Sequence, residues 1–210
     1  AERKHGPDAV WPYFYAGTMG HVQRDGIERL RHVKKYSRQK STFCVTLSDT
    51  GWRAGYGKRW GVSPVEAGEH ADLWLIWGTN PVNTHVNMMN HVSKARKRGA
   101  KVIVVDVYKT GTAEIADIHL APKPGTDGAL ACGIAHVLFA EGYADQAYLA
   151  QFADLPYERL AEHFASRTPE WAEGICGIPA ERIREVARLY GQARASYLRV
   201  GYGFTRQKNG

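Results

Sequence analysis

The chain has 210 residues, 44% of them hydrophobic and 23% charged, enough to bury a substantial core at the border between one large domain and a domain plus a partial one. A formal net charge of +7 suits an anionic partner such as a phosphate-bearing cofactor. Nucleic acid is not expected, because no basic run alternates with aromatics as a single-strand binding groove requires.

The charged, polar start AERKHGPD lacks the apolar core of a signal peptide, and no apolar run approaches the ~20 residues of a membrane span. Residues 11–17 (WPYFYAG) are aromatic and read as an extended strand. Residues 25–36 have helical spacing with Asp25 as the cap, and the basic cluster at 29–40 reads as a solvated helix face. A short β-rich run, TFCVTL, follows at 42–47. The basic, aromatic stretch WRAGYGKRW at 52–60 reads as a Gly-rich surface loop or the lining of a substrate funnel.

The run DLWLIWG at 72–78 is apolar throughout, as a strand buried on both faces should be, and ends in Gly78-Thr79-Asn80-Pro81. A helical stretch to Lys97 and a stop at 98–100 lead to KVIVVD at 101–106, a second buried strand with Asp106 at its tip. Asp106 follows Gly78 by 28 residues, close to a βαβ repeat. The turn PGTDG at 124–128 opens an apolar helix over 128–141. Further helices are expected at 144–152, 156–164, 169–175 and 179–191, the last with Pro179 at its first helical position, and a return strand at 196–201. The expected fold class is α/β, a Rossmann-like open parallel sheet with flanking helices. Its parts are a partial domain at 1–70, a dinucleotide-binding βαβ core at 71–127, and a helical continuation with the return strand at 128–210.

In such a sheet ligands bind beyond the carboxyl ends of the strands. Gly78 allows close backbone approach, and Thr79 and Asn80 supply polar groups at a helix start, where N–H groups favour phosphate. Asp106 and Asp127 are acceptors only, which suits ribose hydroxyls or the N1–H and amino group of guanine. The alternative is that Asn80 and Asp127 are helix N-caps and Asp106 a strand-end cap. The first turn lacks G-x-G-x-x-G, so the NAD fingerprint is absent. Cys44, Cys132 and Cys176 form no C-x-x-C pair for zinc or an iron–sulfur cluster. Cys132 and Cys176 read as small core residues. His85 and His91 are six apart and do not share a helical face.

WGTNP, then VVDVYKTGTAEIADIHLAPKPGTDGALACGIAHVL, then TPEWAEGICGIPAERIREVARLY resemble the middle of the molybdopterin oxidoreductases, the dimethyl-sulfoxide reductase and formate dehydrogenase superfamily. The resemblance implies an internal part of a catalytic subunit several times longer. That subunit would hold molybdenum or tungsten through two molybdopterin guanine dinucleotides. Gly78, Thr79 and Asn80 would line the pterin–diphosphate of one dinucleotide, and Asp106, Thr110, Lys123, Gly125 and Asp127 would hold its guanosine end. Where the family usually reads Asp-Pro-Arg, this chain has Asp106-Val107-Tyr108-Lys109, losing a rigid turn position and a bidentate fork.

The segment 41–52 resembles the loop carrying the metal ligand, which makes Cys44 the candidate ligand and catalytic residue, with Ser48 and Asp49 as alternatives. A thiolate is a strong, soft donor to a metal. An iron–sulfur cluster is expected only upstream of this chain. The partners implied are a small-molecule substrate, the rest of the polypeptide, and an electron-transfer partner or iron–sulfur subunit. A different class with the same fold is a cofactor-free structural module, as in the large iron–sulfur subunit of respiratory complex I.

Overall fold

The structure, a computed structural model, describes residues 1–14, 21–39, 45–58 and 61–209. They fall into two compact units, Ala1–Leu47 and Ser48–Gly210. The first unit carries helices α1 (Glu2–His5) and α2 (His21–Lys34). Residues 11–14 are without regular structure, so the aromatic run does not form the expected strand there. Asp25 lies inside α2, four residues past its start, and is not its cap. The helix start is set further upstream than the first acidic residue suggests.

In chain order the rest reads α3 (Thr46–Tyr56), α4 (Pro64–His70), β1 (Leu73–Trp77), α5 (Pro81–Thr84), α6 (Val86–Lys97), β2 (Lys101–Val105), α7 (Gly111–Glu114) and β3 (Ile118–Leu120). Then follow α8 (Asp127–Ala140), α9 (Gln146–Phe152), α10 (Tyr157–Ala165), α11 (Pro169–Cys176), α12 (Ala180–Gln192) and β4 (Ser196–Val200). Four expectations are corrected. Thr46 and Leu47 belong to helix α3, not to a strand, and 52–56 continue that helix instead of forming a loop. The stretch after Pro81 is two helices, because His85 leaves the helical region at φ −150° and ψ 57°. Pro179 is the N-cap of α12 and Ala180 its first helical residue.

The four strands form one parallel sheet in the order β3-β2-β1-β4. Leu73 pairs with Lys101 on one side and Ser196 on the other, and Trp77 with Val105 and Val200. Alternation sends Leu73, Leu75, Trp77, Ile103, Val105 and Leu120 to one face, packed with Leu130, Ile134, Ile183 and Val186 of α8 and α12. Trp74, Ile76, Val102 and Val104 face the other way, onto Met88, Val92 and Ala95 of α6 and Ala67 of α4. Both faces are covered, which explains why β1 and β2 read as continuous apolar runs. Each fully buried Ile, Leu or Val stabilises the fold by roughly 1.5–3 kcal/mol before entropy is counted.

The sheet begins with β1 and adds β2 and β3 on one side, then returns to place β4 on the other. The strand order therefore reverses between β1 and β4, the place where open α/β sheets hold ligands. Here the two loops beyond the reversal are zipped together. Gly201 N–H donates to Trp77 O (2.7 Å) and Gly203 N–H to Gly78 O (2.9 Å).

Candidate functional site

Beyond the carboxyl ends of β1, β2 and β3 lies a cavity of about 230 Å³ lined by Gly78, Asp106, Val107, Tyr108, Pro124, Gly125, Asp127, Phe204 and Gln207 among others. Four residues singled out in the sequence thus converge on one space: Gly78, Asp106, Gly125 and Asp127. Both glycines sit at positive φ, +62° for Gly78 and +80° for Gly125, a region that L side chains rarely adopt. A Cβ on Gly78 would lie 2.9 Å from Cδ1 of Phe204, and one on Gly125 3.1 Å from Cβ of Gln207. Both turns are therefore glycine because the chain returning from β4 packs against them.

Asp127 is the first residue of α8 and only 8% exposed. It does not cap the helix: the N-cap is Thr126, whose hydroxyl donates instead to Lys123 O at 2.6 Å. Its Oδ1 accepts from the indole Nε1–H of Trp77 at 2.7 Å, which ties the tip of β1 to the start of α8. Its Oδ2 is buried without a partner among the described residues. A buried carboxylate oxygen left unpaired is costly. An incoming donor would remove that cost.

Asp106 is half-buried beside it, with Oδ1 accepting from Val107 N–H at 2.8 Å and its carbonyl from His119 Nε2 at 3.0 Å. Burial pushes the Asp106 carboxyl up from its ordinary value, and the Asp127 charge adds to the rise against the opposing pull of the Val107 amide and His119. Because the folded value lies above the unfolded one, the stabilising contribution is full below the ordinary carboxylate range and is lost as the pH rises through the folded value. The ligand-free protein should therefore lose stability relative to Asp106→Asn over the pH window that opens in the ordinary carboxylate range and closes above the raised folded value. Denaturation midpoints of both proteins across that window check the sign; a relative gain for the wild type would reverse it.

The other residues named from sequence are placed differently. Asn80 occupies the N-cap of α5 without capping it. Its Oδ1 accepts from Thr112 Oγ1 (2.6 Å) and Thr112 N (3.3 Å), clamping the β1 loop to α7. Thr110 is 2% exposed and caps α7 by accepting from Ala113 N–H at 3.1 Å, and it is not among the residues lining the cavity. The Lys123 stem packs toward Gly177 and its amide donates to Cys176 O, so it too is outside the lining. Thr79 is half-buried beside Gly201 and does not line the cavity. Ser48 and Asp49 lie in the first turn of α3, with Ser48 buried. Cys44 lies outside the described residues. Among the described residues no group of three His, Cys, Asp or Glu could hold a metal. Cys176 is buried at the end of α11, and burial pushes its thiol up.

Sequence reading missed Trp77, Phe204 and Gln207. Trp77 looked like one more apolar strand residue, although an indole N–H at the end of a buried strand needs an acceptor and so points to a partner. No local signal marks Phe204 or Gln207, which arrive from a loop after β4.

With two acids and no Lys or Arg in its lining, the cavity selects for hydrogen-bond donors and against phosphate. It is smaller than the ~300–1,000 Å³ of complete small-molecule sites. Its size suits one end of a larger ligand better than a whole one. A second cavity of about 300 Å³ on the far side of Asp127 is walled by Trp77, Ala131, Leu198, Val200 and Phe204 and is almost wholly apolar.

A parallel sheet with helices on both faces, and with glycine turns and two acids over its carboxyl edge, defines an open α/β module. The sequence profile of the family described as Molybdopterin oxidoreductase matches residues 24–210. Over 208 residues the chain is 36% identical to "Probable oxidoreductase YoaE" of Bacillus subtilis (strain 168), covering 99% of this chain and 30% of that protein. It is 32% identical to formate dehydrogenase H of Escherichia coli (strain K12) over 97% of this chain and 29% of that protein. The solved structure of acetylene hydratase from Pelobacter acetylenicus superposes with a TM-score of 0.68 at 21% identity, covering 94% of this chain and 27% of that one, and so shares the fold. The chain belongs to the molybdopterin oxidoreductase family. It spans less than a third of the length of the curated relatives it matches.

Proposed function

We propose that this chain is part of a molybdenum or tungsten oxidoreductase and holds the guanosine end of one of two molybdopterin guanine dinucleotides. The observation that supports this most is the buried Oδ2 of Asp127, without a partner among the described residues, on a side chain that lines one cavity together with Asp106. A cofactor-free module gains nothing by keeping that oxygen buried and unpaired. Asp127 would accept from the base and Asp106 from the base or ribose, with the Gly78 and Gly125 turns letting the ligand lie close to the backbone. Thr79 and Asn80 would shape the approach of the pterin–diphosphate, Asn80 through its hold on Thr112. Thr110 and Lys123 would act from behind, by holding α7 and the turn before α8.

When bound, the group supplies two-electron redox chemistry, oxygen-atom or hydride transfer at the metal. The protein ligand to the metal would be Cys44, with Ser48 and Asp49 the alternatives; Ser48 brings a buried hydroxyl at the start of a helix. The partners in this reading are a small-molecule substrate, the remainder of the polypeptide, and an electron-transfer partner or iron–sulfur subunit. Among the described residues no helix is long and apolar enough to cross a membrane. The test is elemental analysis and acid-released GMP on the full-length protein from a host that makes the cofactor. Metal and GMP in a ratio of one to two are expected; finding neither would favour the structural module.

A further inference from the structure

On the face of the sheet opposite the two acids, a cavity of about 330 Å³ runs along β4, lined by Trp52, Val62, Tyr197, Arg199, Gly201 and Tyr202 among others. Arg199 pairs in register with Ile76 and shares its face with Tyr197, near the carboxyl end of the sheet and just before the zipped loops. Its Nε is buried and has no hydrogen-bond partner among the described residues. Among the described residues the guanidinium's one hydrogen bond is from Nη1 to Val200 O, long at 3.3 Å. Among the described residues no carboxylate lies within ion-pair distance of it, and none of the cavity's lining residues is acidic.

Elsewhere this chain treats arginines differently. Arg96 meets Asp117, Arg184 meets Glu170 and Arg188 grips Glu141 through both carboxylate oxygens. Arg98 is satisfied by the carbonyls of Gly68 and Ala71. A buried guanidinium N–H left without an acceptor is costly, so a half-buried strand arginine facing an acid-free cavity calls for an anion from outside. The walls narrow the choice. Tyr197 already donates its hydroxyl to Val62 O, which leaves the flat faces of aromatic rings and glycine backbone around a planar fork that matches an oxyanion in two hydrogen bonds.

We propose that Arg199 is the anchor of a separate oxyanion site, taking a carboxylate- or phosphate-type group on the sheet face away from Asp106 and Asp127. The donor-selecting cavity and the anion-selecting one are thus divided by the β1–β4 zipper, so a charged group is steered from the first and accepted by the second. Nothing in this assignment requires the guanosine reading to hold. The oxyanion has two sources, a freely exchanging small molecule or a phosphate belonging to a resident cofactor.

The test uses the full-length protein as wild type, Arg199→Gln and Arg199→Lys, with inorganic phosphate as the probe in isothermal titration at constant ionic strength. Organic phosphate per polypeptide is assayed in parallel. If the anion exchanges freely, phosphate titrates one site in the wild type, at least about tenfold more weakly in Arg199→Gln, and with intermediate strength in Arg199→Lys, which keeps charge without the fork. If it is a cofactor phosphate, the wild type does not titrate and Arg199→Gln loses organic phosphate. Should Arg199→Gln fail to fold, Arg199→Lys carries the same comparison. Phosphate binding and organic phosphate content both unchanged across the variants would overturn the site.

Discussion

Asp127→Asn is expected to strip the nucleotide from the full-length protein while leaving its fold nearly untouched. The indole N–H of Trp77 donates to Oδ1 at 2.7 Å, and the Asn side chain keeps a carbonyl oxygen for that bond. Its amide nitrogen then takes the place of Oδ2, setting a donor where an acceptor is needed. Guanine presents its own N1–H and amino donors along that edge, so the change both removes a charge-assisted bond and opposes donor to donor. The cost should be at least ~2 kcal/mol, about thirtyfold in affinity. Acid-released GMP per polypeptide should fall accordingly, with the melting temperature of cofactor-free protein within about 2 °C of wild type. Trp77→Phe provides the contrast. It keeps the ring in the core but leaves Oδ1 as well as Oδ2 unpaired, and should lower stability of the cofactor-free protein by ~1–3 kcal/mol. If instead Asp127→Asn retained its GMP and lost stability, the carboxylate would be a strut between β1 and α8 alone.

The two central strands were legible because burial on both faces leaves no polar position: LWLIW and VIVV admit no other reading in so short a span. The helices α8 and α12 were legible from length and flanking turns. β3 was not, because it has three residues with His119 in the middle, and only its pairing with Ile103, Val104 and Val105 makes it a strand. Segments α3 and α4 were lost among glycines and aromatics, although Ser63 before Pro64 is an N-cap signal that the local sequence does carry: its hydroxyl accepts from Val65 N–H at 3.2 Å. At the site, chemistry was readable residue by residue and geometry was not. Asp106 and Asp127 were recognisable as acceptors at strand and turn tips. That half of Asp127 is committed to an indole 50 positions away, and that Thr110 is consumed by α7, depends on contacts no window of sequence contains. Arg199 carried no signal of its own in the return strand, and only the fold seals its Nε from water.

Gly201→Ala should be the most damaging single-methyl change in the chain. The position lies where the loops after β1 and β4 touch, and a Cβ there would overlap the carbonyl oxygen of Gly78 and Cβ of Thr79. Neither obstacle can swing aside, since the first is backbone and the second is the root of its side chain. Relief requires the β4 loop to lift, which breaks the bonds from Gly201 N to Trp77 O and from Gly203 N to Gly78 O. Gly203 cannot compensate, because its own Cβ position lies 2.8 Å from the same Gly78 oxygen. Overpacking at ~1–3 kcal/mol together with two backbone bonds at ~0.5–1.5 kcal/mol each puts the loss at ~4 kcal/mol. Lifting the loop also withdraws Phe204 and Gln207 from the wall of the acidic cavity, so GMP retention should fall along with stability. Gly174→Ala, on helix α11 where an added Cβ meets nothing within 4 Å, is the control and should stabilise by up to ~1 kcal/mol. Amide hydrogen exchange separates the local effect from a general one: the amides of Gly201 and Gly203 should exchange far faster in Gly201→Ala while those of β2 hold. Unchanged protection at these two amides would mean that the loops do not depend on this contact, and the zipper would no longer divide the two cavities.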